Sequence, residues 1–257
     1  MLSGAMRYSS VTIITVCYNA ASTIGNTLAS VRSQTYPNIE HIVIDGMSDD
    51  GTQAIIEREL LSDGIFLSEP DSGIYNAMNK GLLRASGDVI AFLNSDDCYA
   101  HDDAIANVMT AFENADDINA IFGDVAFYRE HSRGHPYRRY DSGMFRPSRL
   151  RWGWMPAHPG MFVAQSVYNQ LRGFREDFKI AADYEFVARG FARGLFKYRH
   201  LPEVLVHMLA GGVSTRSVAS RLLINRETVL ACRMNGIYTN RLMVMSKYPM
   251  KLLGYLR

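Results

Sequence analysis

The segment Asp88 to Cys98, DVIAFLNSDDC, is an apolar run that stops abruptly at Asn94, Ser95, Asp96 and Asp97. Two unit charges about 4 Å apart repel by roughly 1 kcal/mol in water and roughly 4 kcal/mol at an effective dielectric near 20. A divalent cation reverses the sign of that interaction. Hard carboxylate oxygens suit Mg2+ or Mn2+, and a site with one or two protein carboxylates completes its shell with water and substrate phosphate. Acids at a strand-to-helix turn also serve as helix caps, and spacing alone leaves the two readings level. Asp45 stands in a comparable place, closing IEHIVID ahead of the loop GMSDDGT. That loop is acidic, unlike a phosphate cradle. A carboxylate there suits a hydrogen bond from a base or a ribose, or simply a surface position. The chain has no GxxxxGK[ST] and no GxGxxG, so neither a P-loop nor a dinucleotide fingerprint is supported.

The elements that must position these groups alternate through the first half of the chain. VTIITVCY (Val11 to Tyr18) is β-branched and reads as a buried strand. Ser22 is placed to cap a helix in which Ile24, Leu28 and Val31 share a face. Pro37 and Asn38 end it, and Ile39 to Asp45 form a second strand. A helix with Ile55, Ile56 and Leu60 inward, a short strand Ile65 to Ser68, a helix from Ile74 to Ala85 and the strand DVIAFLN follow. This βαβαβαβ order predicts an α/β fold with an open, mainly parallel sheet and helices on both faces. Ligands of such sheets bind at the carboxyl ends of the strands, and every one of these strands ends in polar residues. A helix is expected at Asp102 to Asn114, then one or two strands in INAIFGDVAFYRE. A Gly-, Pro- and Arg-rich stretch from His131 to Pro159 breaks the pattern before helices return near Gln165 to Leu171 and Asp183 to Arg193.

Composition narrows the class. With 257 residues the chain can bury a full core. A formal charge of +1 argues against a general nucleic-acid binder. The charge is uneven: between Arg216 and Arg257 eight Lys and Arg face Glu227 alone, and between Arg129 and Arg151 seven Arg face Glu130 and Asp141. Cys17, Cys98 and Cys232 fit neither a disulfide framework nor a CxxC site, which points to a reducing compartment. No apolar run reaches membrane-spanning length, and the N-terminus lacks a signal-peptide core. A soluble cytoplasmic protein is the expectation.

Five stretches occur in order: VTIITVCYNA, IVIDGMSDDGT, EPDSGIYNAMNKGLLRASGDVIAFLNSDD, HPGMF and GFREDFKIAADYEFVAR. Together they resemble family-2 nucleotide-sugar glycosyltransferases of the GT-A fold, most of all the bacterial enzymes that assemble surface and extracellular polysaccharides. The resemblance spans about Val11 to Ser214. It implies a Rossmann-like GT-A domain over 8–214, with a nucleotide-binding half at about 8–130 and an acceptor-side half at about 131–214. A basic, helical C-terminal extension at 215–257 follows.

The resemblance also implies roles. Tyr18 and Asn19 lie against the nucleotide, and Asp45 meets the base. The Glu69-Pro70-Asp71 turn, with Asn79 and Lys80, lines the diphosphate of a UDP-, GDP- or dTDP-sugar. The metal motif, commonly Asp-x-Asp, reads Asn94-Ser95-Asp96 with Asp97 adjacent. Asn94 can still accept from a ribose hydroxyl but adds no charge, so Asp96 becomes the principal ligand of Mg2+ or Mn2+. His207, in VHMLAGGVS, is a further metal or diphosphate contact, or a packing residue. Asp183 corresponds to the base that takes the acceptor's proton; a helix N-terminus would keep it ionised, and simple N-capping is the bland alternative. Ala182 stands where a second acid is common, and Glu185 is the rival base.

Other residues carry two readings each. His158 is an acceptor-side contact or loop structure. Trp152 and Trp154 stack on a sugar or pack apolar surface, and Arg138-Arg139 meets an acceptor phosphate or solvates a loop. The basic tail from 216 to 257 lies on an anionic membrane near a lipid-linked saccharide acceptor, placing the protein on the inner face of the cytoplasmic membrane; or it packs on the domain, or makes an oligomer contact. The implied reaction is inverting transfer of a sugar to an acceptor hydroxyl. A non-catalytic sugar-nucleotide scaffold and a sugar nucleotidyltransferase are the alternatives. The second lacks the glycine- and Lys/Arg-rich N-terminal loop that a triphosphate needs.

Overall fold

Every residue of the first strand, β1 (Val11–Cys17), is buried, because both faces of the sheet around it are covered. The computed structural model describes residues 8–115, 117–129, 136–209 and 218–248. On one side of β1 lie β2 (Ile39–Asp45) and then β3 (Ile65–Ser68); on the other lies β4 (Val89–Phe92). All three pairings are parallel, and the register sets Cys17 opposite Asp45 and Asp45 opposite Ser68. The helices α1 (Ile24–Arg32), α2 (Thr52–Glu59) and α3 (Ile74–Leu82) connect these strands. Ile24, Leu28 and Val31 of α1 face inward as expected. Ser22 does not cap it: Thr23 precedes the helix, makes no side-chain cap and donates its hydroxyl to the Ala20 carbonyl. α3 approaches β1 so closely that a Cβ on Gly81 would stand 2.5 Å from Ile14 Cγ2. Any larger residue there has to push the helix off the sheet.

Beyond β4 the sheet becomes mixed, in the order β3-β2-β1-β4-β8-β6-β9-β5. β8 (Met161–Ala164) runs antiparallel to β4 and to β6 (Ala120–Tyr128), and β9 (Tyr198–Leu209) runs parallel to β6. The two-residue β5 (Cys98–Tyr99) closes one edge against β9, and β7 (Arg138–Tyr140) pairs with β6. The remaining helices are α4 (Ala104–Glu113), α5 (Gln165–Leu171), α6 (Ala182–Ala192), α7 (Val218–Met234) and α8 (Arg241–Met245). The expected nucleotide and acceptor halves therefore share one continuous sheet and one main core, in which Phe122, Phe162 and Phe186 are wholly enclosed. Each such side chain contributes about 1.5–3 kcal/mol by leaving water. A second cluster, Cys17, Ile24, Leu28, Val43 and Ile56, packs α1 and α2 onto the sheet.

Within 218–248, α7 packs on α6, and Ala231 and Cys232 are fully buried; the rest of the expected 215–257 extension lies outside the described residues. All three cysteines are free. Among the described residues no helix is long and apolar enough to cross a membrane.

Candidate functional site

The parallel register brings the C-terminal ends of β1, β2 and β3 to one edge. Tyr18, just past β1, is 66% exposed there. Asn19 adopts a left-handed backbone (φ 51°) and donates its N–H to Ser48 Oγ at 2.8 Å, while its Oδ1 accepts from the Asp49 N–H at 3.1 Å. Asp45 is completely buried. Its carboxylate accepts from the Ser48 N–H (3.0 Å), Ser68 Oγ (2.7 Å), the Ser48 hydroxyl and, weakly, Cys17 Sγ. Burial and the Asp45 charge push the Cys17 thiol up. The expected base contact is thus turned inward. Asp45 organises the 46–50 loop, and no face of it reaches solvent. The carboxylate next to the open surface is Asp71. Its Oδ1 accepts from the Gly73 N–H at 2.8 Å, and its Oδ2 lies 2.6 Å from where a Cβ on Gly46 would stand, with the Tyr18 ring 3.4 Å from the same point. Gly46 is what lets Tyr18 and Asp71 close over the turn.

Asn79 and Lys80, expected at the diphosphate, both have protein partners. Asn79 clamps residues 174–176, donating to the Phe174 carbonyl and Glu176 and accepting from the Phe174 N–H, each at 2.9 Å. Lys80 donates to the Pro70 carbonyl at 2.6 Å and pairs with Glu69 at 2.9 Å. Lys80 thus holds the start of the 69–73 turn, and Asn79 ties α3 to the 174–176 segment.

Phe92 pairs with Ile14, so Asn94, two residues on, comes level with the end of β1. Asn94 to Asp97 form a turn closed by the Asp97 N–H on the Asn94 carbonyl at 3.0 Å. The Asn94 amide donates to Asp97 Oδ2 at 2.9 Å, Thr27 donates to the Asp97 carbonyl at 2.8 Å, and Ser95 and Asp96 occupy the half-buried corner. Asp97 is buried; desolvation first, and the Asp96 charge second, push its carboxyl well above the usual range. The strand pairing sets His207 opposite Cys98, the residue after Asp97. Burial lowers the His207 pKa, favouring a neutral imidazole, and its Nε2 lies 3.2 Å from Tyr128 Oη. Two adjoining carboxylates that repel each other are the kind of donor set a hard divalent cation takes, while the neighbours of His207 are Tyr128 and His101.

Asp183 is the second residue of α6 and partly exposed. Its Oδ1 accepts from the Tyr184 N–H (2.8 Å) and lies 3.2 Å from the Tyr75 hydroxyl, which also donates to the Ile180 carbonyl (2.6 Å). No described residue donates to its Oδ2. Burial, and then the Asp183 charge, push the Tyr75 phenol well up, so it stays a donor. Glu185 faces the other way, buried and paired with Arg189 at 2.9 Å. His158 stacks on Phe92 at 5.5 Å between centroids, and its buried Nε2 has no partner among the described residues. Burial lowers its pKa and the nearby Asp183 charge opposes that shift. A cleft of about 420 Å³, lined by Ser72 to Asn76 and Glu176 to Lys179, opens beside this group.

Two features escaped the sequence reading. Tyr75, inside GIYNAMNKG, ties α3 to Asp183. Asp124, Asp141 and His200 place donor atoms within 4.8 Å of one another. Asp124 is buried and already accepts from Arg139 (2.6 Å), the Ser142 N–H (2.8 Å) and His200 (2.9 Å). An acid inside the apolar run AIFGDVAFY was the available signal. The β6 register sets His200 opposite Phe122 and His207 opposite Ala126, roughly 13 Å apart along that strand, so the two clusters do not share an ion. Of the Arg138-Arg139 pair, Arg139 neutralises Asp124 and Arg138 lies over Phe127 at 5.0 Å. Trp152 and Trp154 line a cavity of about 260 Å³ with Arg149 and Ser246.

A mixed sheet of this topology, with an acidic turn after its fourth strand, defines the GT-A class of glycosyltransferase domains. The chain belongs to glycosyl transferase family 2, whose model matches residues 12–198. An uncharacterised glycosyltransferase of Mycobacterium tuberculosis is 33% identical over 180 residues, 70% of this chain and 68% of that one. A candidate teichuronic acid biosynthesis glycosyltransferase of Bacillus subtilis is 41% identical over 95 residues, 36% of this chain and 38% of the relative. Among solved structures, S. aureus TarS 1-349 with UDP superposes with a TM-score of 0.65 at 18% identity, covering 86% of this chain and 65% of that one. Glucosyl-3-phosphoglycerate synthase of Mycobacterium tuberculosis, with Mn2+, UDP and glucosyl-3-phosphoglycerate, gives 0.62 at 16% identity, covering 93% and 82%. At such identities the likeness carries the fold.

Proposed function

We propose that this glycosyltransferase is an inverting enzyme that moves a sugar from a UDP-, GDP- or dTDP-sugar to a hydroxyl of a lipid-linked saccharide in bacterial polysaccharide assembly. The observation that carries the reading is the position of Asp183: ionisable, partly exposed, fixed by Tyr75 and the α6 N-terminus, while Glu185 is locked in a buried ion pair. Tyr18 and Asp71 flank the space for the nucleoside, above the loop that Asp45 holds. Asp96 is the principal ligand for Mg2+ or Mn2+, with Asp97 and His207 adjoining. When bound, such an ion supplies positive charge to the departing diphosphate.

Asp183 accepts the acceptor's proton as that oxygen bonds to the anomeric carbon and the bond to the diphosphate breaks. One displacement inverts the configuration. Tyr75 and the Tyr184 N–H orient the Asp183 carboxylate. The mycobacterial and bacillar relatives support glycosyl transfer, and the UDP- and Mn2+-bound structural neighbours support the donor and metal classes.

Incubation with a panel of sugar nucleotides and Mn2+ tests this. Asp183→Asn should keep donor affinity while turnover falls by roughly 10² to 10⁴. Asp96→Ala should abolish the metal-dependent part of donor binding. Near-normal turnover in Asp183→Asn would place the base elsewhere, and wild-type turnover by Asp96→Ala with EDTA present would defeat the metal assignment.

A further inference from the structure

Glu227 is the one acid between residues 216 and 257. Arg221, Arg226 and Arg233 on the same helix are exposed, whereas Glu227 is only 7% exposed. Its Oε1 accepts from the Lys179 N–H, and its Oε2 from the N–H groups of Ile180 and Ala181, all at 2.9 Å. These are three consecutive amides immediately ahead of α6. Ala181 flanks that helix and has no side chain with which to cap it, so the carboxylate that satisfies the entry to α6 comes from α7. The same peptide is held from the opposite side, because the Ile180 carbonyl accepts from Tyr75 Oη. Ile180 is thus pinned through both its N–H and its C=O, two residues before Ala182 and three before Asp183. Farther along α7, Cys232 Sγ lies 3.3 Å from Tyr184 Oη, and just past its end Asn235 donates to Glu185 at 3.2 Å. α7 and the residue after it thus hold both sides of Asp183 in the chain.

We infer that Glu227 is a positioning residue for catalysis: its triple amide clamp, opposed by Tyr75, fixes where the Asp183 carboxylate stands. The inference rests on Asp183 being the base. Among the described residues Asp183 has only the Tyr75 hydroxyl and its neighbour's amide to orient it, so its location depends on where the backbone of 179–182 is held. Releasing three amides at once lets that segment relax, and displacement of a base by about 1 Å can cost roughly 10² in rate. A purely structural cap would lower stability without altering the chemistry of the folded molecules.

The two cases separate in the full chain with Glu227→Ala, Glu227→Gln, Asp183→Asn and, as a stability control, Val229→Ala, which empties a buried position on α7 away from the clamp. Turnover of whichever sugar nucleotide the wild type hydrolyses, donor KM, melting temperature and amide hydrogen exchange over 179–184 are measured together. Glu227→Ala should lower kcat by about 10² with KM within about twofold, and exchange over 179–184 should accelerate. Glu227→Gln keeps one acceptor oxygen and should fall between. Val229→Ala should lose melting temperature and keep kcat. A Glu227→Ala protein that matches Val229→Ala in kcat, or that leaves exchange at 179–184 unchanged, overturns the inference, provided Asp183→Asn has collapsed. Should Asp183→Asn retain turnover, the base assignment fails first and takes this inference with it. If Glu227→Ala does not fold, Glu227→Gln decides on the same readouts, and exchange decides in the absence of any turned-over donor.

Discussion

Asp183 and Glu185 stand two residues apart on one helix and have opposite environments, because a step of two along α6 turns the side chain to another face. Asp183 meets the cleft; Glu185 meets Arg189 at i+4, and that guanidinium also donates to the Gly173 carbonyl at 2.8 Å. Removing one partner from a buried pair leaves an uncompensated charge and costs about 3–5 kcal/mol. Glu185→Gln should therefore lower the denaturation midpoint while leaving kcat per folded molecule at the wild-type value. Unfolding curves and active-site-normalised turnover check this, and a loss of kcat without loss of stability would reverse the roles of the two acids. The rate-critical and stability-critical carboxylates of α6 become distinguishable by which measurement each one moves.

Among the elements, β2 carries its own pH dependence. His41 is fully buried, its Nε2 is 3.0 Å from Thr15 Oγ1, and burial depresses its pKa to about 4. The unfolded chain binds this proton at its ordinary pKa near 6.5, so between those values it holds more protons than the native state. Stability from this group is complete above about pH 6.5 and is lost as the pH falls towards 4, by about 3 kcal/mol in all. Replacing His41 by Gln should flatten the difference in unfolding free energy between pH 7 and pH 4.5, read from paired urea titrations. Parallel slopes for the two proteins would refute it. The strand itself was legible, as were β1, β3, β4 and the three helices between them, because buried parallel strands read as continuous β-branched runs closed by polar residues. β9 was not. YRHLPEVLVHML is half-buried and interrupted by Pro202, a residue that demotes a strand reading. The structure accommodates it where the β6–β9 register shifts between Phe122 and Asp124, at a bulge. Missing β9 left His207 without an address, and only the strand pairing sets it opposite Cys98. The acid turn was visible for its charge, whereas the inward orientation of Asp45 depends on Ser48 and Ser68, which are brought together by register.

At the scale of the molecule, α7 and α8 join the acceptor side of the site to an outer surface of distinct chemistry. Leu222, Arg226, Leu230 and Met234 recur every four residues and are all exposed, so they form one stripe along α7. Beyond it Tyr238, Leu242 and Met245 are exposed as well, Leu242 to 81%. Arg221, Arg233 and Arg241 add exposed charge, while the single acid of the segment is turned inward on the 179–181 amides. A surface that is apolar and cationic together matches an anionic bilayer, where each basic side chain contributes about 1 kcal/mol and the apolar ones enter the interface. Contact there would set the exposed face of α7 on the lipid that carries the proposed acceptor, while its buried face grips the segment before Asp183. The expected outcome is co-sedimentation with vesicles containing phosphatidylglycerol and little with phosphatidylcholine alone, weakening as salt rises towards 1 M and the screening length falls to about 3 Å. The double substitution Leu222→Asp with Leu242→Asp should release the protein from the vesicles and leave hydrolysis of a soluble donor unchanged. Equal binding to neutral and anionic vesicles, or binding that survives the double substitution, would show that this face is not the membrane contact.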